Sequence, residues 1–400
     1  MARDRRFDLL LFGATGFTGR LVARYLAASA PPDLRWAVVG RDRAKLEDVV
    51  DGLGPRRPSE LVVADALDPA AMARVAADAT AVCTTVGPYR RYGAPLIAAC
   101  AAAGTAYCDL TGEVPFVREA IERHHATARA TGARLVPCCG FDSIPSDLSV
   151  WVLQEALTAQ VGRGAPAVTA VFRMKGGASG GTIASALGMI DDARRDPALR
   201  RLLADPYALD PDDGVRGRDR DRVGPGYDRA LGEITAPFVM QGINARVVRR
   251  SHALAGRPWG TDWRYQEVLG LGRSVRAGLG ALAVSAALPA FAVASQLPVV
   301  RPWLDRRLPA PGQGPSAEAR AAGRYQVRTY GTVDGATVTA TFADQRDPGY
   351  DGTAVLLGEA ALTLALDPPS TGGGVLTPAF ALAPRLVPRL RAAGLRIEVG

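Results

Sequence analysis

A glycine-rich turn near the start of this 400-residue chain constrains its fold more than any other feature. The apolar run 7–12 has the length of a buried strand, and 17–26 places apolar residues at helical spacing. Gly13, Gly16 and Gly19 lie in and just after the turn, where they permit a tight reversal, close approach of a pyrophosphate and close helix packing. The segment predicts a dinucleotide-binding βα unit. An ordinary strand-to-helix turn stays open, because Gly-x-x-Gly-x-x-Gly departs from the usual Gly-x-Gly-x-x-Gly.

The second predicted strand, 34–40, is followed by a basic residue, Arg41. NAD-binding domains carry an acidic residue here for the ribose 2′-hydroxyl, whereas a guanidinium pairs with the 2′-phosphate of NADP. Lys45, one turn into the next helix, adds a second positive charge. The pattern predicts NADP as the cofactor. A plain surface role for Arg41 stays open, because Asp42 beside it is an alternative hydroxyl ligand.

Strands and helices continue to alternate up to residue 138, with further strands predicted at 61–65, 81–86, 105–109 and 134–138. This alternation predicts an α/β fold whose N-terminal Rossmann domain has a doubly wound parallel sheet ending at the last of these strands. Ligands bind such sheets at the carboxyl ends of the strands. The predicted cofactor-binding residues are Gly13, Ala14, Thr15, Gly16, Phe17, Thr18, Gly19, Gly40, Arg41, Lys45, Asp65, Gly87 and Pro88.

A chain of this length usually needs more than one hydrophobic core. The loop 139–147 precedes an apolar helix for which Ser146 or Asp147 would be the N-cap. We therefore expect a Rossmann domain at 1–148, a second α/β (α+β) substrate or dimerisation domain at 149–350, and C-terminal helices at 351–400 packing back on the core. Within the second domain, 205–227 predicts a long surface loop, and Asp334-Gly335 predicts a hairpin turn.

Composition argues against several kinds of partner. The net charge is +8, but the basic residues are almost all scattered arginines, so we predict no nucleic-acid binding. The five cysteines are odd in number and contain no Cys-x-x-Cys spacing, which is typical of a reduced, cytoplasmic protein. With only three histidines in the chain, we predict no metal site.

Several motifs together resemble a known family. They are GATGFTGRLVARYL at 13–26, VVGRDRAKL at 38–46, TTVGPYRRYGAPLIAACAAAGTAYCDLTGE at 84–113, CCGFDSIPSDL at 138–148, TAVLLGEAALTLALD at 353–367 and GGVLTPAFALAPRLVPRLRAAG at 373–394. This combination resembles the saccharopine dehydrogenase-like oxidoreductases and, within them, the actinobacterial trans-acting enoyl reductases. The resemblance implies a Rossmann domain, a second α/β domain, NADPH, and reduction of a double bond in a polyketide-derived lipid precursor. It does not fix the substrate, because relatives named for saccharopine act on an imine.

Two other functions therefore stay open: an imine or keto reductase, and a non-catalytic nucleotide-binding protein associated with lipids. An enoyl reductase needs a hydrogen-bond donor for the charge that develops on the thioester oxygen. Tyr89, beside the expected nicotinamide crevice, is the first candidate, with Ser143 and Thr182 behind it. Thr182 follows a glycine-rich turn at 175–181 that suits an anion, a flexible connector being the alternative. An imine reductase would instead need buried arginines for substrate carboxylates.

The segment 277–300 carries no formal charge between Arg276 and Arg301, and its length would span a bilayer. Pro289 and Pro298 interrupt it, and alanine outnumbers leucine. A buried core or dimer helix, a membrane-surface anchor or lipid-entry flap, and a transmembrane helix all stay open. We expect a cytoplasmic protein acting on a small or carrier-bound acyl substrate, with peripheral plasma-membrane contact through 277–300 and homodimer formation as further expectations.

Overall fold

The structure, a computed structural model, describes residues 5–54, 56–176, 180–297, 299–307 and 314–400. Its described residues form two compact units. The first comprises those of 1–144, 312–314 and 349–394, and the second those of 145–311, 315–348 and 395–400. The boundary thus falls after Ile144, where the sequence suggested residue 148, and the C-terminal segment is divided between the two units.

Strands and helices alternate through most of the first unit and are less regularly ordered in the second. In chain order, the strands are β1 (Phe7–Phe12), β2 (Trp36–Gly40), β3 (Glu60–Val63), β4 (Ala79–Thr84), β5 (Ala106–Asp109), β6 (Arg134–Val136), β7 (Ala167–Lys175), β8 (Gly226–Asp228), β9 (Glu233–Pro237), β10 (Arg264–Gly272), β11 (Arg324–Val333), β12 (Ala336–Asp344), β13 (Gly374–Val375) and β14 (Arg396–Val399). The helices are α1 (Phe17–Ser29), α2 (Arg43–Asp51), α3 (Pro69–Asp78), α4 (Tyr89–Tyr92), α5 (Ala94–Ala103), α6 (Val114–Thr131), α7 (Ile144–Val161), α8 (Gly180–Arg195), α9 (Pro197–Ala204), α10 (Gln241–Leu254), α11 (Val275–Ala294), α12 (Val300–Arg307), α13 (Ala317–Ala321), α14 (Thr353–Leu366) and α15 (Pro378–Ala392). A π-helical turn, Pro348–Gly352, precedes α14.

The first unit is built on a parallel sheet of order β13-β6-β5-β4-β1-β2-β3. β1 and β2 are almost continuously buried, as expected where helices cover both faces of a parallel sheet. The order reverses between β1 and β4, so the ligand crevice belongs at their carboxyl ends. The predicted doubly wound Rossmann sheet is confirmed.

The expectation that this sheet ends at residue 138 is wrong. β13, which lies more than two hundred residues further along the chain, pairs with β6 through Gly374 opposite Arg134. The helices on either side of β13, α14 and α15, also belong to the first unit, and α14 packs against β1, β4 and β5. β13 is only two residues long, which is too short to show an alternation of apolar and polar side chains. Periodicity alone therefore does not reveal this strand.

The second unit contains a mixed sheet of order β14-β12-β11-β7-β10-β9-β8. β7 and β10 are parallel, and the other pairs are antiparallel. β11 and β12 form the predicted hairpin, with Asp334 and Gly335 both at positive φ, 50° and 80°, as a two-residue turn requires. The last strand, β14, adds to this sheet, although the sequence suggested only helices for the C-terminal segment.

The helix that begins the second unit starts earlier than predicted. The Ile144 amide already donates to the Gly140 carbonyl at 3.0 Å, so the helical turn forms before Ser146 and Asp147. These two residues therefore lie within the first turn of α7 instead of capping it. The Asp147 carboxylate accepts a hydrogen bond from the Ser251 hydroxyl at 2.6 Å, which ties α7 to α10.

Candidate functional site

The glycine turn lies directly above the carboxyl end of β1, between β2 and β4. Gly13 has a φ of +91°, a conformation that glycine adopts without strain. Its amide donates to the Val39 carbonyl at 2.9 Å, and its carbonyl accepts from the Gly16 amide at 3.0 Å and the Thr85 hydroxyl at 3.1 Å. These bonds hold the turn to both neighbouring strands.

The three glycines of the turn differ in what surrounds them. A Cβ atom on Gly19 would lie 2.1 Å from the Gly13 carbonyl oxygen, so α1 packs on the turn without room for a side chain. Among the described residues beyond its chain neighbours, a Cβ on Gly16 would meet only that same oxygen, at 3.4 Å, and Gly16 is exposed. The open space at Gly16 is therefore a cradle that a side chain would fill.

Gly16 is also the N-cap of α1, and no side chain caps this helix. The first-turn amides of a helix have no intrahelical partner, and the helix dipole favours an anion beside them. The turn from Gly13 to Gly19, with Ala14 buried and Thr15 and Thr18 partly exposed, thus fits a pyrophosphate. Phe17 closes one side of it through an edge-on contact with Tyr350, at 4.8 Å between ring centroids.

The end of β2 carries the basic residue that the sequence singled out. Arg41, next to Gly40, is exposed. Asp42 instead caps α2: its carboxylate accepts from the Lys45 amide at 3.2 Å, a bond that lowers the pKa of this carboxyl. The Lys45 ammonium lies 3.5 Å from the same carboxylate. Since Asp42 has this structural role and Arg41 reaches solvent, the arrangement favours a 2′-phosphate over a free ribose hydroxyl.

An apolar surface adjoins the end of β3. Val63 and Leu67 are 50% and 54% exposed, and Asp65 lies between them. The Asp65 carboxylate accepts from the Leu67 amide at 2.9 Å, which fixes this turn. Exposed aliphatic side chains beside a carboxylate suit the flat, apolar and hydrogen-bonding adenine ring.

Hydrogen bonds to Glu113 fix the backbone that follows β4. The Gly87–Pro88 peptide bond is cis, and Gly87 is exposed at the sheet edge. Glu113, just before α6, accepts from the amides of Tyr89 and Arg90, both at 2.9 Å. Such charge-assisted bonds are among the stronger hydrogen bonds in proteins. Gly87 and Pro88 are thereby held on the side of β1 away from Arg41.

Tyr89 does not occupy the position that the sequence suggested. Its side chain is 4% exposed, and its hydroxyl donates to the Thr84 carbonyl at 3.1 Å and accepts from the Leu110 amide at 3.4 Å. Burial raises the pKa of this hydroxyl well above its ordinary value. The Tyr89 proton is thus engaged within the fold, and the geometry gives the residue a structural position instead of one beside a substrate.

Ser143 and Thr182, the other two candidates, lie in different units. Ser143 belongs to the loop after β6, is fully buried, and donates its amide to the Gly140 carbonyl at 3.3 Å. Thr182 lies in the first turn of α8, and its side chain is outside the described parts of the chain. Residues 177–179 of the preceding glycine-rich turn also lie outside the described residues.

Asp109 is a carboxylate that the sequence reasoning did not single out. It lies fully buried at the end of β5, and burial raises its pKa to about 6. It accepts hydrogen bonds from the Tyr107 hydroxyl at 2.6 Å, the Thr111 amide at 2.9 Å and the Cys138 amide at 3.0 Å. Asp109 therefore holds the loops after β5 and β6 together.

Asp142, in the loop after β6, is a second carboxylate that the sequence reasoning did not assign. Its side chain is partly buried and makes no hydrogen bond or ion pair with any described residue. Burial raises its pKa to about 6. The neighbouring backbone is fixed, since the Phe141 amide donates to the Thr353 hydroxyl at 3.1 Å.

The strand order places Asp142 on the reactive half of the crevice. Arg41 and Asp65 follow β2 and β3, on one side of β1, and the loops after β4, β5 and β6 lie on the other side. A dinucleotide across the switch point puts its adenosine on the first side and its nicotinamide on the second. Asp142 lies within the loop after β6 and not directly after the strand, so no local pattern of residues singles it out in the sequence.

Three buried arginines lie on α10 in the second unit: Arg246, Arg249 and Arg250. Arg249 pairs with Asp219 and with Asp221, each at 2.9 Å, and Arg246 pairs with Asp221 at 2.8 Å. Arg250 donates to the Leu209 carbonyl. The expectation of a solvated surface loop at 205–227 is therefore wrong for Asp219, which is 6% exposed because it neutralises Arg249.

The glycine turn, the basic end of β2 and the switch point between β1 and β4 define the cofactor-binding domain of an NADP-dependent oxidoreductase. In agreement, residues 9–136 match the family model described as the saccharopine dehydrogenase NADP binding domain. Among solved structures, the apo form of saccharopine dehydrogenase (L-Glu forming) from Saccharomyces cerevisiae covers 98% of this chain and 99% of its own, with a TM-score of 0.53 at 15% identity. That likeness shows a shared fold.

Relatives of similar length identify the family. A protein of Mycobacterium tuberculosis named as a trans-acting enoyl reductase is 44% identical over 418 residues, covering 99% of this chain and 98% of the relative. The trans-acting enoyl reductase of Mycobacterium ulcerans is 43% identical, with the same coverage. The chain belongs to the trans-acting enoyl reductase family. The resemblance inferred from its motifs and the expected NADP cofactor are confirmed.

Proposed function

We propose that this protein is an NADPH-dependent enoyl reductase that acts on an acyl thioester, free or bound to a separate carrier, in the synthesis of a polyketide-derived lipid. The observation that carries the proposal is identity of 42–44% along nearly the whole chain to proteins named trans-acting enoyl reductases. The geometry of the first unit supports it, since the open turn at Gly16 suits the pyrophosphate and the exposed Arg41 suits the 2′-phosphate that distinguishes NADP from NAD.

When bound, NADPH supplies the hydride that adds to the β-carbon of the double bond, and it leaves as NADP⁺. The protein has to bind this cofactor and to supply a proton. The first-turn amides of α1 would hold the pyrophosphate, and Arg41 with Lys45 would hold the 2′-phosphate. The α-carbon then needs a proton, so that one double bond is reduced by a hydride and a proton together.

Asp142 is our candidate for this proton donor. It lies on the nicotinamide side of the switch point, its carboxyl is not engaged by any described side chain, and its pKa of about 6 leaves part of it protonated near neutral pH. Asp109 and Glu113 have a structural role at this site, since their hydrogen bonds fix the loops after β4, β5 and β6. Tyr89 belongs to this supporting structure.

The imine reductase alternative receives less support. Its substrate carboxylates would need buried arginines, and the three on α10 already bond to Asp219, Asp221 and a backbone carbonyl. Releasing Arg249 would leave the buried carboxylate of Asp219 without a counter-charge, which is costly.

A substrate panel tests the proposal. NADPH oxidation would be followed with an apolar trans-2-enoyl thioester of pantetheine, with the matching saturated thioester, and with a keto acid plus an amino acid. We expect oxidation with the enoyl thioester alone. Oxidation with the keto acid and amino acid would establish the imine reaction instead. NADPH binding without turnover of any mixture would indicate a non-catalytic binder.

A further inference from the structure

Helix α11 is unusually exposed for its composition. Among the described residues it is the one helix long and apolar enough to cross a membrane, with a mean hydropathy of 1.9 over its most apolar stretch. Only 12% of that stretch is buried within the protein. A core helix of a water-soluble domain would bury most of such a surface.

One side of α11 rests on the second sheet. Ala277 and Ala281 are buried, and the helix packs against β9 and β10. A Cβ atom on Gly278 would come within 3.8 Å of Ile234 Cδ1, and one on Gly280 within 3.7 Å of Leu271 Cδ1. A helix held along one side in this way is not surrounded by lipid, and Pro289 further interrupts its hydrogen bonding. These contacts are those of a surface helix instead of a membrane-spanning one.

The opposite side forms an apolar face made of Val275, Leu279, Leu282 and Val293. These side chains are between 59% and 83% exposed, and their spacing along the chain places them on one side of the helix. Three further apolar side chains that follow α11 in the chain, Leu297, Val299 and Trp303, are 50%, 86% and 55% exposed. An exposed apolar face along a helix, such as the one on α11, marks an interaction site.

Positive charge flanks the apolar face at both ends. Arg276 lies in the first turn of α11, Arg306 lies on α12, and both are exposed. Trp303, one helical turn before Arg306 on α12, has the amphipathic ring that favours a membrane–water boundary. Charged ends around an uncharged centre match a bilayer surface, where acyl chains lie beneath anionic headgroups.

We propose that α11 and α12 form a docking surface for anionic lipid bilayers, with α11 lying in the plane of the membrane. A second copy of the chain fits this surface less well. A second copy would present the same apolar face beside the same arginines, and like charges gain less from facing each other than from facing anionic headgroups. The proposal does not depend on the enoyl reductase activity.

Vesicle co-sedimentation of the full-length protein tests it. Vesicles of phosphatidylcholine alone would be compared with vesicles that also contain phosphatidylglycerol, at low and at high salt. We expect binding to the anionic vesicles, weakening with salt, and little binding to phosphatidylcholine alone. A protein that ignores both kinds of vesicle would overturn the proposal.

Two pairs of substitutions locate the surface. Leu282→Asp with Val293→Asp should weaken vesicle binding by roughly 30-fold or more, because charged side chains resist burial among acyl chains. The matched control is Val223→Asp, in the loop before β8, where the native side chain is 85% exposed. Since all three positions are exposed, thermal unfolding and NADPH binding should stay unchanged.

The second pair is Arg276→Gln with Arg306→Gln, which should weaken binding to anionic vesicles by roughly 30-fold at low salt. Its control is Arg74→Gln with Arg129→Gln, which removes two exposed arginines of the first unit. Equal binding by both arginine pairs would contradict the proposal. So would a Leu282→Asp, Val293→Asp protein that binds vesicles normally but changes from dimer to monomer in sedimentation velocity, because the face would then be a contact between copies.

Discussion

Gly19 packs against Gly13 so closely that a Cβ atom on Gly19 would lie 2.1 Å from the Gly13 carbonyl oxygen. At Gly16 the same oxygen is 3.4 Å from a hypothetical Cβ, and no other atom of the described residues, its chain neighbours aside, lies within 4 Å. Two glycines of one motif thus have separate roles. Gly19 is required by the close packing of α1 on the turn, whereas the open space at Gly16 suits a pyrophosphate.

The first prediction separates these roles. Gly16→Val should abolish NADPH binding while leaving the thermal unfolding temperature nearly unchanged, because φ of −73° and ψ of 164° suit valine and the side chain would enter the pyrophosphate site. Gly19→Ala should lower the unfolding temperature, because a backbone oxygen stands in the way of its methyl group. Differential scanning fluorimetry and NADPH fluorescence titration measure the two effects. A Gly16→Val protein that binds NADPH as tightly as the wild type would remove this turn from the cofactor site.

The second prediction concerns coenzyme preference. Arg41→Ala should weaken NADPH binding by roughly 1.5–3 kcal/mol, since a charge-assisted contact with the 2′-phosphate is lost. NADH has no such phosphate, so its affinity should change little. Arg43→Ala is the matched control, because Arg43 is exposed two residues away on α2, where it faces Glu47 at 3.8 Å. Equal losses for NADPH and NADH would show that Arg41 does not recognise the phosphate.

The third prediction concerns Asp142. If this residue delivers the proton, Asp142→Asn should lower kcat by roughly 100-fold with little change in NADPH affinity. The protonated carboxyl is the active form, so wild-type kcat/KM should fall as the pH rises through about 6, and the variant should lose this dependence. Stopped-flow and steady-state kinetics across pH measure both. A full-rate variant with the wild-type pH profile would assign the proton to another group.

The stability of the same variant gives an independent check. The pKa of Asp142 is raised from 3.8 to about 6 in the folded protein, so its ionised form opposes folding once the pH exceeds that of the unfolded carboxyl. Stability is therefore lost between about pH 4 and pH 6. Asparagine does not ionise, so Asp142→Asn should raise the free energy of unfolding by about 1–3 kcal/mol near neutral pH and by little at about pH 4.

The fourth prediction distinguishes a structural arginine from a substrate ligand. Arg249→Met should destabilise the protein by about 3–5 kcal/mol, because Asp219 would stay buried without its counter-charge. Denaturant unfolding measures this loss. A variant that keeps its stability but loses affinity for a dicarboxylate such as glutamate would instead favour the imine reaction.

The sequence predicted those parts of the fold that local patterns specify. The helical spacing at 17–26 falls within α1, the turn at Asp334-Gly335 closes a hairpin, and the glycine turn joins β1 to α1. Each depends on residues adjacent in the chain, namely helical spacing, two residues at positive φ and a glycine repeat. Arg41 could be singled out for the same reason, since its position directly after β2 follows from local order.

Features that depend on distant contacts were not predicted. β13 joins the Rossmann sheet only because α14 brings it back to β6, and Asp219 is buried only because Arg249 on α10 meets it. Tyr89 follows a strand end, as a donor facing a substrate would, yet its ring turns inward to pack beside Phe116. Asp142 is distinguished by having no partner among the described residues, which no pattern of neighbours in the chain reveals.

Following the transferred hydride tests directly whether the protein reduces an enoyl thioester with NADPH. The protein would be incubated with an apolar trans-2-enoyl pantetheine thioester and NADPH deuterated at C4 of the nicotinamide, using each stereoisomer in turn, and the product would be analysed by mass spectrometry and NMR. We expect a saturated thioester with one deuterium at the β-carbon from one of the two stereoisomers. Unchanged enoyl thioester after complete NADPH binding, or deuterium found only in an amine formed from a keto acid and an amino acid, would contradict it.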